Sequence, residues 1–341
     1  MFTIRYWQKE LAFEYPFTIS KGTKTHQPTF IVELNFRGIL GYGEAPAIAY
    51  YGITTDQMVA DLEAKRKFVE SFSLTDPKRF WHFLHHLFPK NPFLVCALDM
   101  AGWDIYGKLR RKPLYELWNL NLANTPKTDY TIGIDSLDKM LEKIDAHPAR
   151  IYKIKVGTAD DLEKLKAIRQ HTHAIIRVDA NAGWSFDQAL EILPVLEQLS
   201  IELIEQPLAK EDLEGAKILK EATSIPIIAD ESCVGERDVE KCAGFFSGIN
   251  IKLTKCSGIT PALDMIKKAR LLNLQVMLGC MNESSIGTAA LAHLAPMVDF
   301  LDADGPLLLK EDLGAGIEFV EYQWKPTLLP GLGITPFLER L

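Results

Sequence analysis

The chain has 341 residues, with 45 acidic against 38 basic side chains, a formal net charge of −7 and a hydrophobic share of 47%. That length exceeds one small core and suits a barrel plus a second domain, and the negative charge argues against nucleic-acid or anionic-membrane partners, which reward basic patches. No apolar run approaches the ~20 residues of a spanning helix, and Met1 to Glu10, polar by Gln8, lacks the apolar stretch of an export signal.

Residues 1 to 124 have a mixed texture. Phe30 to Phe36 alternates as a strand does, and Gly38, Gly41 and Gly43 punctuate the residues just after it. Two helices are expected next, over Thr55–Phe72 and Asn91–Asn119; in the second, Leu94, Ala97, Leu98, Ala101, Ile105 and Leu109 recur at helical spacing and predict a buried face. His82, His85 and His86 lie in an aromatic stretch and are expected to be packing or surface residues. Cys96, Cys233, Cys242, Cys256 and Cys280 are odd in number and scattered, without CxxC spacing, so reduced, mostly buried thiols and a cytoplasmic location are expected.

From about residue 125 the chain alternates short β-rich runs with amphipathic stretches. The runs are Tyr130–Ile134, Ile151–Val156, Ile175–Ala180, Ile201–Pro207, Pro226–Glu231, Gly248–Leu253, Gln275–Cys280 and Phe300–Gly305. Corresponding positions near their ends (Thr131, Lys155, Asp179, Glu205, Asp230, Lys252, Cys280, Asp302) recur every 22 to 28 residues. One strand, one helix and two short loops occupy such a length. Eight units of that kind predict an α/β fold closed as a (β/α)-barrel. A doubly wound open sheet competes, but it usually carries a glycine-rich first turn, and no GxGxxG is present.

Charge falls where a buried strand should be apolar. Lys153, Lys155, Asp179, Glu205, Asp230, Lys252, Asp302 and Asp304 all sit at C-terminal strand ends, the end at which barrel enzymes place their chemistry. Asp179, Glu205 and Asp230, on three consecutive strands, would repel one another unless a cation lay between them. An oxygen-only ligand set without His or Cys favours Mg²⁺ over Mn²⁺ or Ca²⁺, one ion per chain. Lys155 and Lys252 come from the second and sixth strands, opposite each other in a ring of eight, and are placed to address two faces of one carbon. A lysine base must be neutral, so the ordinary value near 10.4 is expected to fall through burial, Lys153 and the cation. Salt bridges between these lysines and the acids are the plainer alternative.

These residues resemble the enolase superfamily, in its muconate-lactonising-enzyme subgroup. The likeness rests on Lys153-Ile154-Lys155, Asp179-Ala180-Asn181, Glu205-Gln206-Pro207, Asp230-Glu231-Ser232 and Asn250-Ile251-Lys252, in this order and spacing. Tyr50-Tyr51-Gly52 and the stretch Ala97 to Lys108 look like that family's α+β capping domain, and Pro330-Gly331-Leu332-Gly333 like its closing segment. The resemblance implies a cap formed by residues 1–124 with 311–341 packing back on it, around a barrel of residues 125–310. It further implies Asp179, Glu205 and Asp230 as magnesium ligands, Lys155 and Lys252 as acid/base catalysts, and Lys153 as a partner of the substrate carboxylate. Cys256-Ser257-Gly258 departs from the double glycine frequent in the family.

Asp302-Ala303-Asp304 resembles the DxD motif of the dipeptide epimerases in this subgroup. Carboxylates at i and i+2 on a strand end point to one side, where an ammonium group satisfies them. An L-Ala-L-Xaa dipeptide is therefore the expected substrate, epimerised at the α-carbon of its C-terminal residue. Thr131 and Cys280-Met281-Asn282, continued by Glu283 and Ser284, match positions lining that pocket. The expected reader of the second side chain is a mobile loop, Ser20 to His26, where Lys24 replaces the arginine of Ala-Glu epimerases; lysine is a poor bidentate partner for carboxylate, so a hydrophobic second residue is favoured and Glu stays open. Alternatives are o-succinylbenzoate synthesis, N-acyl amino acid racemisation or muconate cycloisomerisation at the same site, a Schiff-base aldolase using Lys155 or Lys252, and a non-catalytic scaffold. A small-molecule substrate is expected, with a homo-oligomer left open.

Overall fold

The computed structural model describes residues 1–340. The chain opens with a three-stranded antiparallel sheet, β1 (Phe2–Ile19), β2 (Gly22–Phe36) and β3 (Ile39–Pro46), in the order β1-β2-β3. Three helices come next: α1 (Thr55–Ser71), α2 (Pro77–Leu87) and α3 (Pro92–Arg110). Thr54, Asp76 and Asn91 cap them through side-chain oxygens, as their residue types favour. The long helix expected to Asn119 stops at Arg110, in front of Pro113, and a short turn α4 (Leu114–Leu117) succeeds it. Leu109, expected on the buried face, is 42% exposed because that face ends with Ile105.

Gly41 and Gly43 lie within β3 rather than in a turn. A side chain on Gly43 would sit 1.9 Å from the Ala97 carbonyl, and one on Gly41 2.3 Å from that of Ala101. The glycines let the sheet lie directly on α3. Their contact encloses a core of Phe30, Leu34, Leu94, Leu98 and Phe80.

Eight parallel strands then form one sheet in unbroken sequential order: β4 (Tyr130–Ile132), β5 (Ile151–Lys155), β6 (Ile175–Asp179), β7 (Ile201–Glu205), β8 (Ile227–Ala229), β9 (Gly248–Lys252), β10 (Gln275–Gly279) and β11 (Phe300–Asp302). A single parallel bridge between Thr128 and Leu301 joins the first strand to the last. The expected barrel is present, with a seam. Helices α5 (Leu137–Ala146), α6 (Asp161–His171), α7 (Phe186–Gln198), α8 (Leu213–Ala222), α9 (Glu236–Cys242), α10 (Leu253–Cys256), α11 (Ile259–Leu271) and α12 (Ser285–Leu294) lie between the strands. The C-terminal stretch adds two small ribbons, β12 (Gly314–Ala315) with β15 (Thr335–Pro336), and β13 (Ile317–Val320) with β14 (Gln323–Pro326).

Buried acids fasten the two halves. Glu44 of β3 accepts from the backbone N–H of Ser284 (3.2 Å) and Gly287 (2.9 Å) at the start of α12. Asp99 of α3 accepts from the Thr260 N–H (3.0 Å) at the start of α11. Each caps a barrel helix from outside it, where the free N–H groups and the helix dipole favour negative charge. Asp104 accepts from Leu332 N–H at 2.8 Å, tying the C-terminal segment to α3. Ser257, where the sequence departs from the family's glycine, takes a left-handed φ of 73° before Gly258, the conformation a glycine accepts most readily.

Candidate active site

The tip of the β1–β2 hairpin, the segment Ile48–Tyr51 and the C-terminal ends of the barrel strands enclose a cleft of about 790 Å³, counted to its open mouth. Thr131, Lys153, Lys155, Asp230, Lys252, Cys280, Met281, Asn282, Asp302, Asp304 and Lys24 all line it. Asp179 and Glu205, each fully buried, lie below its floor. Strand pairing explains the gathering: Lys155 is opposite Asp179, Asp179 opposite Glu205, and Lys252 is linked through Gly279 to Asp302.

Lys153 occupies the centre. Its Nζ lies 2.5 Å from Asp302 Oδ2, 2.8 Å from Glu205 Oε2 and 3.2 Å from Asp179 Oδ2. Lys155 Nζ meets Asp179 Oδ2 at 2.5 Å and Asn181 Oδ1 at 3.2 Å. Across the ring, Lys252 Nζ donates to Asp230 Oδ2 at 2.8 Å. Salt bridges between these lysines and acids, the plainer alternative from the sequence, are therefore formed. Burial pushes the Lys252 amine down, but Asp230 and Glu205 outweigh it and raise its pKa well above the ordinary lysine value. Lys153 is raised likewise by Asp302, Glu205 and Asp179. The anions nearest Lys252 act against the depression expected of it, whereas the cation on which that expectation rests would act in its favour.

The acids differ among themselves. Burial pushes all three up; Lys155 and Lys153 hold Asp179 well below the usual range, and Lys252 and Lys255 do so for Asp230. Glu205 rises to about 7, through burial and then the Asp179 charge, opposed by Lys153. Its Oε2 is close enough to Lys153 for an ion pair yet makes no directed hydrogen bond. The short distance supplies attraction, and the missing bond leaves room for another ligand. Three buried carboxylates, with the Asp230 charge acting to raise both Asp179 and Glu205, offering only oxygen and including one incompletely bonded atom, fit a hard divalent cation. They are turned onto lysines here, however. Among the described residues, the group of three ligand-type side chains with all atoms within 4.8 Å is Cys280, Asp302 and Asp304.

Several supporting residues are not distinguished by sequence. Lys255 in α10 donates to Asp230 Oδ1 (2.5 Å) and to the carbonyls of Asp230, Cys233 and Asn250. Asn250 Nδ2 donates to Glu205 Oε1 at 2.6 Å. Gln206, held at a positive φ of 36°, accepts from the Asp230 and Ser232 N–H groups at 3.0 and 3.1 Å, joining two of the acid-bearing loops. Both Asn250 and Gln206 stand inside the motifs that carry the resemblance, so their position was readable although their role was not. Nothing in the sequence separates Lys255 from a surface lysine.

The segment Ser20–His26, expected as a loop, is the tip of the hairpin, turning at Ser20 and Lys21, with Lys24 already paired opposite Phe17 in the ladder. Lys24 Nζ donates to Gln27 Oε1 at 3.2 Å, and burial lowers its pKa. Lys21 spans Glu231 (3.3 Å) and the Tyr50 ring (4.0 Å), connecting the tip to the barrel rim. His82, His85 and His86 are exposed on α2, away from the cleft. All five cysteines are buried free thiols. Among the described residues, no helix is long and apolar enough to cross a membrane.

The chain is 47% identical over 311 residues to an L-Ala-D/L-amino acid epimerase of Maribacter sp., covering 91% of this chain and 92% of that protein. Its structure superposes on a substrate-liganded complex of the L-Ala-D/L-Glu epimerase from Bacillus subtilis with a TM-score of 0.93, at 30% identity over 98% of both chains. A dipeptide epimerase from Cytophaga hutchinsonii, complexed with Mg and D-Ala-L-Val, gives a TM-score of 0.92 at 28% identity, over 98% of this chain and 96% of that one. Residues 1–118 match the mandelate racemase / muconate lactonizing enzyme N-terminal domain, and residues 136–340 match the enolase C-terminal domain-like family. The chain therefore belongs to the mandelate racemase / muconate lactonizing enzyme family of the enolase superfamily.

Proposed function

We propose that the protein is a magnesium-dependent dipeptide epimerase that inverts the α-carbon of the C-terminal residue of an L-Ala-L-Xaa substrate by 1,1-proton transfer. The observation that carries this reading is the approach of two lysines to one cleft from separate strands, Lys155 on β5 and Lys252 on β9, with three buried acids between them. A hard divalent cation held by Asp179, Glu205 and Asp230 supplies positive charge for a substrate carboxylate and against the ammonium form of the flanking lysines.

Lys153, central among the acids, binds the substrate carboxylate and stabilises the negative charge that develops when the α-proton leaves. Either Lys155 or Lys252 takes that proton onto Nζ, according to the substrate's hand, and the other delivers a proton to the opposite face. Asp302 and Asp304 receive the dipeptide ammonium beside Thr131 and Cys280. Met281 and Asn282 wall the pocket near them, and the hairpin tip excludes water. The second side chain meets Phe17, Ile19, Ile48, Tyr50 and Tyr51 together with Lys24, a surface suited to an apolar residue. The relation of parts we infer is a cap of residues 1–124 with 311–341, over a catalytic barrel of residues 125–310. A cytoplasmic location accords with five unpaired buried thiols.

Proton NMR in D₂O tests the function. Deuterium should enter the α-position of the second residue of L-Ala-L-Xaa dipeptides, stop in EDTA, and resume with added Mg²⁺. Absence of exchange across a dipeptide panel would refute it, as would full activity in EDTA.

A further inference from the structure

One tier below the cleft, the barrel interior holds a guanidinium and a second carboxyl that the proposed chemistry leaves unused. Asp129 precedes Thr131 by two residues and Arg177 precedes Asp179 by two, so each points into the barrel beneath a residue of the site. Asp129 is 1% exposed, Arg177 2% and Asp302 3%. Arg177 donates to Asp129 Oδ2 at 2.8 Å, to the Leu301 carbonyl at 2.7 Å and to Glu202 Oε2 at 2.6 Å. Among the described residues, no donor reaches Asp129 Oδ1. The parallel bridge between Thr128 and Leu301 sets Asp129 beside Asp302 on the inward face of the barrel, and the contact between the two carboxyls favours the anionic form of Asp302.

Two buried carboxyls in contact do not both ionise. Asp302 has the Lys153 ammonium at 2.5 Å, and Lys252 adds to its stabilisation as an anion. Asp129 shares its guanidinium with Glu202 and faces the charges of Asp302 and Asp304 as well as Lys153. Burial, with the Asp302 charge next, raises its pKa well above the usual carboxylate range. The Lys153 ammonium favours the anion on Asp302, and the donorless Oδ1 favours the proton on Asp129. Carried on Oδ1, it satisfies the one oxygen of that carboxyl for which the structure offers no donor.

We infer that Asp129 is a positioning residue for the dipeptide ammonium: a neutral acid that donates from Oδ1 to Asp302 and fixes that carboxylate against the cleft. The inference rests on the reading of Asp302 as an ammonium ligand. Arg177 in turn fixes Asp129 through its other oxygen, so the substrate's charged end is set by a chain of bonds reaching down to Glu202.

The test compares Asp129→Asn with Asp129→Leu. The amide keeps a donor and no charge, so Asp129→Asn should hold KM for the dipeptide within about threefold of wild type. Asp129→Leu removes the donor and should raise KM about tenfold to hundredfold, the usual effect of one hydrogen bond to a charged group, with kcat changed much less. An equal rise for Asn and Leu would overturn the inference, because the negative charge and not the donor would then matter; so would an unchanged KM in Asp129→Leu. If Asp129→Leu does not fold, infrared difference spectroscopy of wild type against Asp129→Asn decides. A protonated-carboxyl C=O band at neutral pH, lost in the variant, is expected, and its absence overturns the inference. That band does not depend on turnover, so a wild-type protein showing the band but no dipeptide exchange would sink the proposed function and leave the proton assignment standing.

Discussion

Lys255 offers the sharpest stability test. Its side chain is 1% exposed, and its three N–H bonds serve four acceptors: Asp230 Oδ1 at 2.5 Å and the carbonyls of Asp230 (2.6 Å), Cys233 (3.0 Å) and Asn250 (3.2 Å). Lys255→Met keeps the length and apolar stem but deletes every donor. Breaking a buried ion pair by removing one partner costs about 3–5 kcal/mol. Each buried carbonyl left unpaired would add about 1–3 kcal/mol, though a relaxing loop recovers part of this and Lys252 still compensates Asp230. A net loss of about 4 kcal/mol is expected, large against a typical total of about 5–15 kcal/mol. Urea unfolding followed by tryptophan fluorescence measures it, with Lys252→Met as the comparison: Lys252 borders the cleft, where water can replace its bond, so its loss should be clearly smaller. A cost below about 1 kcal/mol for Lys255→Met, or one equal to that of Lys252→Met, would show that the ammonium does not hold the Asp230 loop.

Three further outcomes are expected. Lys155→Ala and Lys252→Ala should each lower epimerisation by about 10²–10⁴-fold, the usual share of general acid–base catalysis, with each variant still exchanging the α-proton of one antipode; NMR on separate L,L and L,D dipeptides checks this, and exchange of both hands by either variant contradicts the two-lysine scheme. Lys24→Arg adds a planar fork suited to carboxylate and should raise kcat/KM for L-Ala-L-Glu relative to L-Ala-L-Leu about tenfold; no change would place the second side chain elsewhere. His293 is buried against Tyr115, and burial lowers its pKa to about 4. A histidine depressed in the folded state contributes full stability above its unfolded value near 6.5 and loses it as pH falls toward 4. The wild type should lose about 3 kcal/mol across that window beyond what His293→Gln loses, measured by urea midpoints at several pH values; parallel curves would refute it.

The barrel was legible because its repeat is stamped in charge at strand ends, and the backbone pairing of Lys155, Asp179 and Glu205 is a consequence of that spacing. The cap was read less well. β1 runs through Arg5, Gln8, Lys9, Glu10 and Glu14, and its buried positions change phase along the strand, from Phe2 and Ile4 to Leu11 and Phe13, so it shows no clean apolar alternation. The polar start of β2 from Gly22 to Gln27 concealed a ladder behind what reads as a loop. Gly41 and Gly43 are turn signals by composition, and only the proximity of α3 gives them another purpose. Burial of a lone charge is likewise invisible in sequence: Lys255 and Arg177 sit in ordinary helix and strand contexts, and both are compensated by partners far along the chain. The rise in Lys252's pKa has the same origin, since its sign depends on whether anions or cations stand nearest.

The seam of the barrel has a further consequence. Between β4 and β11 there is one backbone bridge, and two side-chain bonds complete the join: Thr131 N–H to Asp304 Oδ2 at 2.6 Å and Ala303 N–H to Thr128 Oγ1 at 2.8 Å. The carboxylate assigned to substrate recognition is thereby also a rivet of the wall it stands on. A lineage abandoning amine-bearing substrates cannot discard Asp304 freely; it must find another acceptor for that N–H or let the ring loosen there. Chemical memory of the old ligand can persist in the architecture after the ligand has gone.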